Sequence, residues 1–419
     1  MSINVKKAAS VLFACCIAFS SALTAFADSK QSDENREREN YHRKGKWGYT
    51  VLEDGTAAVS DYFGKAKELN VPGEIDGYTV TAIGGGWYTG SDGKPVLYGN
   101  VHGISYADDG SVEESSVYSP FTGNSFIENV TLPDTVTAIG AISFKGCISL
   151  KSIELNEGVE VIGSNCFEGC TALEEITLPD SLKFVDQQAF YECESLASVN
   201  MPDCHYETAA FERCTGLGSV ELPQGMLSTA PYMFSECESL KSIVIPDSVT
   251  EIADSSFSKC TSLEYVQLPD NVKAIYNNAF SGCTSLTQVL LGDGVDTIGS
   301  RAFADCTALK ELYVGENVNK IGDNAFGMTA DGEHIEGFKL VCPDFSPVKA
   351  YAESNSIPFS LVAPSADASG SAPDQNLPGG LDSEMVFLIV VAVLVLAALA
   401  VFIILVLVLK NNKNDDDDE

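Results

Sequence analysis

Between Ser119 and Met328 the apolar positions recur with a long period, and phenylalanine marks it best. Phe121, Phe144, Phe167, Phe190, Phe211, Phe234, Phe257, Phe280, Phe303 and Phe326 stand 23 residues apart except for one interval of 21. Three residues after Phe comes Cys in eight consecutive units: Cys147, Cys170, Cys193, Cys214, Cys237, Cys260, Cys283 and Cys306. Six residues after Phe comes Leu, from Leu150 to Leu309. Further apolar residues follow nine and eleven after Phe, as in Ile153 and Leu155 or Ile243 and Ile245, and Pro often comes next (Pro133, Pro179, Pro202, Pro223, Pro246, Pro269). Five residues before most of the Phe residues stands Ile or Val, as at Ile252, Ile275, Ile298 and Ile321. Period-two alternation around the ninth position predicts one short strand per unit, its neighbours facing outward. One such unit cannot bury its apolar side alone, so the units must stack into a solenoid.

The L-x-x-L-x-L core within a period of roughly 20–29 residues is the leucine-rich repeat signature. The unit Ile298-Gly299-Ser300-Arg301-Ala302-Phe303-Ala304-Asp305-Cys306-Thr307-Ala308-Leu309 resembles the BspA-like leucine-rich repeat surface proteins, over about residues 47–362. That resemblance implies a mostly β solenoid of short parallel strands with few helices. It also implies a cell-surface protein, some members of the family resembling adhesins, and it implies no particular ligand.

The solenoid is expected over 47–363. Tyr49 to Val80 reads as its first coil, with Leu69-Asn70-Val71-Pro72 in phase and Ile83-Gly84 closing it. At the other end a cap is expected over about 338–362. There Ser346-Pro347 reads as the N-cap and first residue of a helix running to about Asn355, followed by a strand at Phe359–Val362.

The flanks are of another kind. Residues 1–27 read as a signal peptide, with Lys6 and Lys7, an apolar run from Ala8 to Leu23, and Ala25-Phe26-Ala27 before Asp28. Leu12-Phe13-Ala14-Cys15 offers a lipoprotein-type cleavage box as the rival, weakened by the bulk of Phe13. Residues 28–46 read as a charged tether and 364–384 as a flexible stalk, which at 21 residues spans ~25 Å. Met385 to Leu409 is 25 residues without charge, Pro or Gly, long enough to cross a ~30 Å hydrocarbon layer as a transmembrane helix. Lys410 and Lys413 follow it, so the positive-inside rule puts the acidic tail 410–419 in the cytoplasm and the solenoid outside. The expectation is a single-pass cell-surface protein. Leu377-Pro378-Gly379-Gly380-Leu381 begins like a wall-sorting motif but lacks its Thr and final Gly, and a removable lipid-anchor signal fits poorly with the charged residues after the span.

Charge narrows the function. With 25 basic against 59 acidic residues the net charge is −34, which repels nucleic acid and argues against it as a partner. Only four histidines are present, at His42, His102, His205 and His334, with no shared repeat position. No G-x-S-x-G or H-E-x-x-H occurs, Gly90-Ser91-Asp92-Gly93-Lys94-Pro95 lacks phosphate-loop spacing, and Asp108-Asp109 lies in no calcium-loop pattern. The expectation is therefore a non-enzymatic protein without metal or cofactor. The eight in-phase cysteines read as a buried structural ladder, because equivalent side chains on parallel coils point the same way and cannot close disulfides. Cys166, Cys204 and Cys342 fall off the ladder and are the better candidates for pairing or reactivity.

Two surfaces read as candidates for binding an extracellular protein or glycan. Eight residues after Phe the outward positions run Asn129, Ser152, Glu175, Ser198, Ser219, Ser242, Tyr265, Gln288, Glu311; ten after, they run Thr131, Glu154, Thr177, Asn200, Glu221, Val244, Gln267, Leu290, Tyr313. The C-terminal half thus gathers Val244, Tyr265, Gln267, Leu290 and Tyr313, an apolar and aromatic cluster among polar neighbours. The bland reading is that Val and Tyr are good strand formers. The second surface is an insertion at about 85–119 holding Trp87, Tyr88, Tyr98, Tyr106 and Tyr118. A recognition loop and a hairpin thickening the N-terminal cap fit it equally. Against both stands a passive envelope or spacer protein with no specific ligand.

Overall fold

A computed structural model describes residues 41–52, 54–84, 87–89, 95–97, 119–344 and 346–362. These belong to one compact unit that ends at Val362. The expected signal peptide, most of the tether, the stalk, the membrane span and the acidic tail lie outside the described residues. Among the described residues no helix is long and apolar enough to cross a membrane.

The repeat is a β-solenoid coil with two short strands. The first follows the Leu six after Phe, as at Asn129–Thr131, Ser152–Glu154, Ser242–Val244, Tyr265–Gln267, Gln288–Leu290 and Glu311–Tyr313. The second precedes the next Phe, as at Ala138–Ile139, Val161–Ile162, Glu251–Ile252, Ala274–Ile275 and Thr297–Ile298. Equivalent strands pair in parallel and in register, Ile153 opposite Val130 and Val266 opposite Val289. The alternation holds as expected, since Val130, Ile153, Ile243, Val266, Val289 and Leu312 are all buried while the residues on either side are not.

The core is built from columns. Phe121 to Phe303 stack face to face, ring centroids 4.8–5.7 Å apart and planes within 16°. Each Phe from Phe144 to Phe303 sits on a turn with two residues in the left-handed region. One is two before Phe (Asn165, Asn278 and Asn324, φ 54–55°), the other two after it (Gly123, Gly146 and Gly169, φ 67–69°). Asn and Gly tolerate that backbone best, which explains their recurrence there. In four successive coils the second position is charged instead, and Glu192, Arg213, Glu236 and Lys259 form an ion-paired ladder.

The 21-residue interval between Phe190 and Phe211 is where stacking adapts. Two residues are missing, and Tyr206 is buried here, its hydroxyl donating to the Pro202 carbonyl at 2.9 Å and its ring centroid 6.1 Å from that of Phe211. Both sheets lose their pairing here. The sheet that includes Ser198–Val199 ends with it, and a new one starts at Ser219–Glu221; on the other side His205–Tyr206 is a terminal strand. The next coil carries Thr229 in place of the usual Ile, its hydroxyl 2.8 Å from that of Ser256 and accepting the Ala253 amide at 2.9 Å.

Both ends are capped. Tyr41–Lys44, Trp47–Val51 and Ala57–Tyr62 form an antiparallel sheet whose last strand runs parallel to Tyr78–Ile83. Trp47 packs on Tyr62 and Tyr62 on Phe121, so aromatic rings continue the phenylalanine column to the N-terminal end. The strand Tyr41–Lys44 corrects the boundary of the tether expected over 28–46: Arg43 and Lys44 are charges on an edge strand, which discourage pairing with another chain, rather than a mark of disorder. Leu69 lies opposite Val130, the first-coil phase expected from the sequence. At the C-terminus the helix α1 (Pro347–Ser354) has Ser346 as N-cap, accepting the Lys349 amide at 3.2 Å. Tyr351 of α1 presents its ring edge to Phe326, and Phe359–Val362 adds the closing parallel strand.

Candidate functional site

The cysteine ladder is the most regular chemistry in the chain. All eight thiols are buried, and each donates to the carbonyl oxygen of the Phe in the preceding coil, Cys147 to Phe121 through Cys306 to Phe280, at 3.0–3.2 Å. A thiol is small enough for the site and, unlike an alanine, adds a weak second donor to a carbonyl oxygen that already accepts a backbone amide within its own turn, as Phe144 accepts the Cys147 amide at 3.0 Å. Burial pushes the Cys147 and Cys214 thiols up to about 12 and the rest of the ladder higher as well. Such thiols are poor nucleophiles and poor metal ligands. The off-ladder cysteines are also free: Cys166 and Cys342 are buried, while Cys204 is half-buried with its thiol pushed up to about 11, chiefly by burial. Cys166 packs within the same core as the ladder. Among the described residues no three His, Cys, Asp or Glu side chains gather as a metal ligand set.

The sheet face is the better candidate. Val244, Gln267 and Leu290 stand in one column, Val244 on Ser242–Val244, Gln267 on the next strand and Leu290 opposite it in register. Tyr313 occupies the same place in the following coil, and Val341 of the cap lies opposite Tyr313. Val244 is 48% exposed, whereas Tyr265, Leu290, Tyr313 and Val341 are half-buried. Tyr265 belongs to the neighbouring column but its hydroxyl donates to Gln267 Oε1 at 2.9 Å, which brings it beside the strip. Partial burial raises the Tyr265 and Tyr313 hydroxyls above the usual phenol range, and Asp293 and Glu316 raise Tyr313 further.

That last interaction locates a feature which the sequence reading passed over. Thirteen residues after Phe, where the chain leaves the strand, stand Asp134, Glu157, Asp180, Asp203, Asp247, Asp270, Asp293 and Glu316, all exposed, with Gln224 the one interruption. Outside the Gln224 coil the row supplies one carboxylate per coil, and at Tyr313 it lies close enough to the sheet face for Asp293 and Glu316 to act on the phenol. Its signal was present in the same 23-residue period, at the position after the recurrent Pro.

The insertion contributes differently. Trp87–Thr89 pairs antiparallel with Pro95–Leu97, Trp87 opposite Leu97 and Tyr88 opposite Val96, so this part is a hairpin. Tyr98, Tyr106 and Tyr118 lie outside the described residues. In chain order the hairpin follows the first coil, whereas the Val244–Tyr313 strip is carried by later coils.

A family profile described as the BspA type leucine rich repeat region matches residues 118–229 and 205–333, in six copies. No curated protein matches the chain. Among solved structures, a leucine-rich repeat protein from Bacteroides ovatus is similar at 23% identity, covering 77% of this chain and 100% of that one, with a TM-score of 0.38. A leucine rich cell surface protein from Faecalibacterium prausnitzii is similar at 19% identity, over 77% of this chain and 95% of its own, with a TM-score of 0.38. The pneumococcal vaccine antigen PcpA is similar at 18% identity, over 77% and 98% of the two chains, with a TM-score of 0.35.

Proposed function

Because the chain belongs to the BspA-type leucine-rich repeat family, a family of repeat scaffolds, we propose that it is a non-enzymatic cell-surface binding protein. In this reading it is exported by residues 1–27, held by a membrane span at 385–409 with the solenoid outside, and adhesin-like in its use of the sheet face. The observation that carries the reading is the strip Val244, Gln267, Leu290 and Tyr313 with Tyr265 beside it. In the N-terminal coils the same outward positions hold Thr131, Glu154, Thr177 and Asn200, so strand propensity alone does not account for where the apolar side chains fall. Aromatic and aliphatic side chains ringed by polar ones are what a protein or glycan partner uses as anchors.

The test is a binding screen. Full-length protein in detergent micelles is applied to arrays of glycans and extracellular-matrix proteins beside a Tyr265→Ala/Tyr313→Ala variant of equal thermal stability, at several salt concentrations. Binding that survives moderate salt and is lost in the variant is expected, since a surface this acidic attracts basic proteins only while screening is weak. Binding that the substitutions leave untouched would move the site toward the Trp87–Tyr88 hairpin. No binding by either protein would leave a passive spacer.

A further inference from the structure

We propose that the sheet-face strip holds a linear, β-1,4-linked amino-sugar chain with free amines, lying along the stack with one sugar per coil. The proposal rests on the reading of this face as a binding surface and names its ligand class.

Spacing comes first. Paired strands in a sheet are ~4.8 Å apart, so Val244, Gln267 and Leu290, on three successive paired strands, present one side chain at that interval, and Tyr313 takes the next place in the following coil, where a new sheet begins. An extended β-1,4-linked hexose chain repeats at nearly the same length, so each ring can rest on its own coil. An extended peptide repeats its side chains every ~6.6 Å on one face and falls out of step within a few coils.

Surface chemistry is the second argument. Val244, Leu290 and the Tyr313 ring offer apolar ground for the C–H faces of sugars, and the amides of Gln267 and Gln288 offer donors and acceptors for hydroxyls.

Charge decides the rest. The row Asp247, Asp270, Asp293 and Glu316 lies three residues beyond the strip on the same four coils, and none of the four makes an ion pair among the described residues. The Asp270 carboxylate accepts the Asp293 amide at 2.9 Å, which ties these two neighbouring coils together at the row. A uronate, sulfate or phosphate polymer would meet four carboxylates in succession. In a chain with one ammonium group per ring, successive rings are turned over, so a cation would stand beside every second carboxylate of the row and the others would lie along the opposite edge, within the same acidic field. The acidic row also continues along the N-terminal coils, but there the strip is polar, so both requirements coincide only from Val244 to Tyr313.

Calorimetry on the full chain in detergent micelles, with glucosamine oligomers of two to six residues, tests this. Affinity is expected to rise with length up to four or five sugars and then level off. Tyr313→Ala and Asp293→Asn, each with an unchanged melting temperature, are expected to weaken the hexamer about tenfold. The fully N-acetylated hexamer is expected to bind at least tenfold more weakly. Oligolysine of equal charge serves as the control. If it binds as tightly as the glucosamine hexamer, or if Tyr313→Ala leaves the hexamer unaffected, the attraction is unspecific and the proposal is overturned. If no oligomer binds while the array screen finds a partner that the Tyr265→Ala/Tyr313→Ala variant loses, the ligand class is wrong and the binding face stands. Silence in both experiments removes both.

Discussion

Each coil depends on two residues held in the left-handed backbone region, and the chain does not fill them uniformly. Tyr232 sits two before Phe234 at φ 57° and is 44% exposed, where Asn165, Asn278 and Asn324 serve other coils. Replacing it with Asn keeps the polar turn and relieves a bulky side chain from that conformation. Tyr232→Asn is expected to raise unfolding free energy by about 0.5–1 kcal/mol, read from urea midpoints. A loss of stability would mean that the ring contributes packing which its exposure does not suggest. The thiols are the other device at this scale. Their role as apolar fillers follows from period and parallel geometry, but their donation to the Phe carbonyl one coil back does not, because nothing in a linear pattern says which oxygen of the neighbouring coil comes within reach of the thiol.

At the level of elements, the caps decide whether the end coils hold. Ser346 closes the first turn of α1 through the Lys349 amide, and Tyr351 from that helix covers Phe326. Ser346→Ala is expected to cost about 1 kcal/mol and to loosen Phe359–Val362 first, seen as faster hydrogen exchange there than in Glu311–Tyr313. Uniform exchange across the cap would show that packing, not capping, secures it. This helix and the strand after it were readable because Ser-Pro is a local signal. The N-terminal edge strand was not, since Arg43 and Lys44 carry the same charges whether they belong to a tether or guard a sheet edge. Nor was the seam after Val199: the interval of 21 announces a shorter coil, but that Tyr206 is buried there while both sheets part requires the neighbours in place. The strip from Val244 to Tyr313 was legible as two columns. The acidic row beside it was overlooked because a single Asp after Pro looks like turn chemistry until eight coils are laid over one another.

For the whole molecule, the ladder ties stability to pH. The folded-state Cys147 and Cys214 thiols stand at about 12 and burial raises the other six as well, against unfolded thiols near ~8.5, so their contribution is complete below the unfolded value and is lost as pH rises toward the folded one. Each thiol then removes up to ~1.4 kcal/mol per pH unit, and eight acting together make the decline steep. Urea midpoints in reductant are expected to fall sharply between about pH 8.5 and 10, and variants with several ladder cysteines changed to Ala should show a shallower fall from a lower starting stability. A flat profile across that range would contradict the burial of the thiols. The same ladder sets a deadline. Once the coils have closed, an oxidant finds, among the described residues, ten buried cysteine sulfurs and one half-buried one, but before closure it finds those same eleven thiols within one flexible chain, any two of which can join. If the chain matures outside the cell, its yield is governed by a competition in time, stacking against oxidation, and each coil laid down withdraws one more sulfur from the contest.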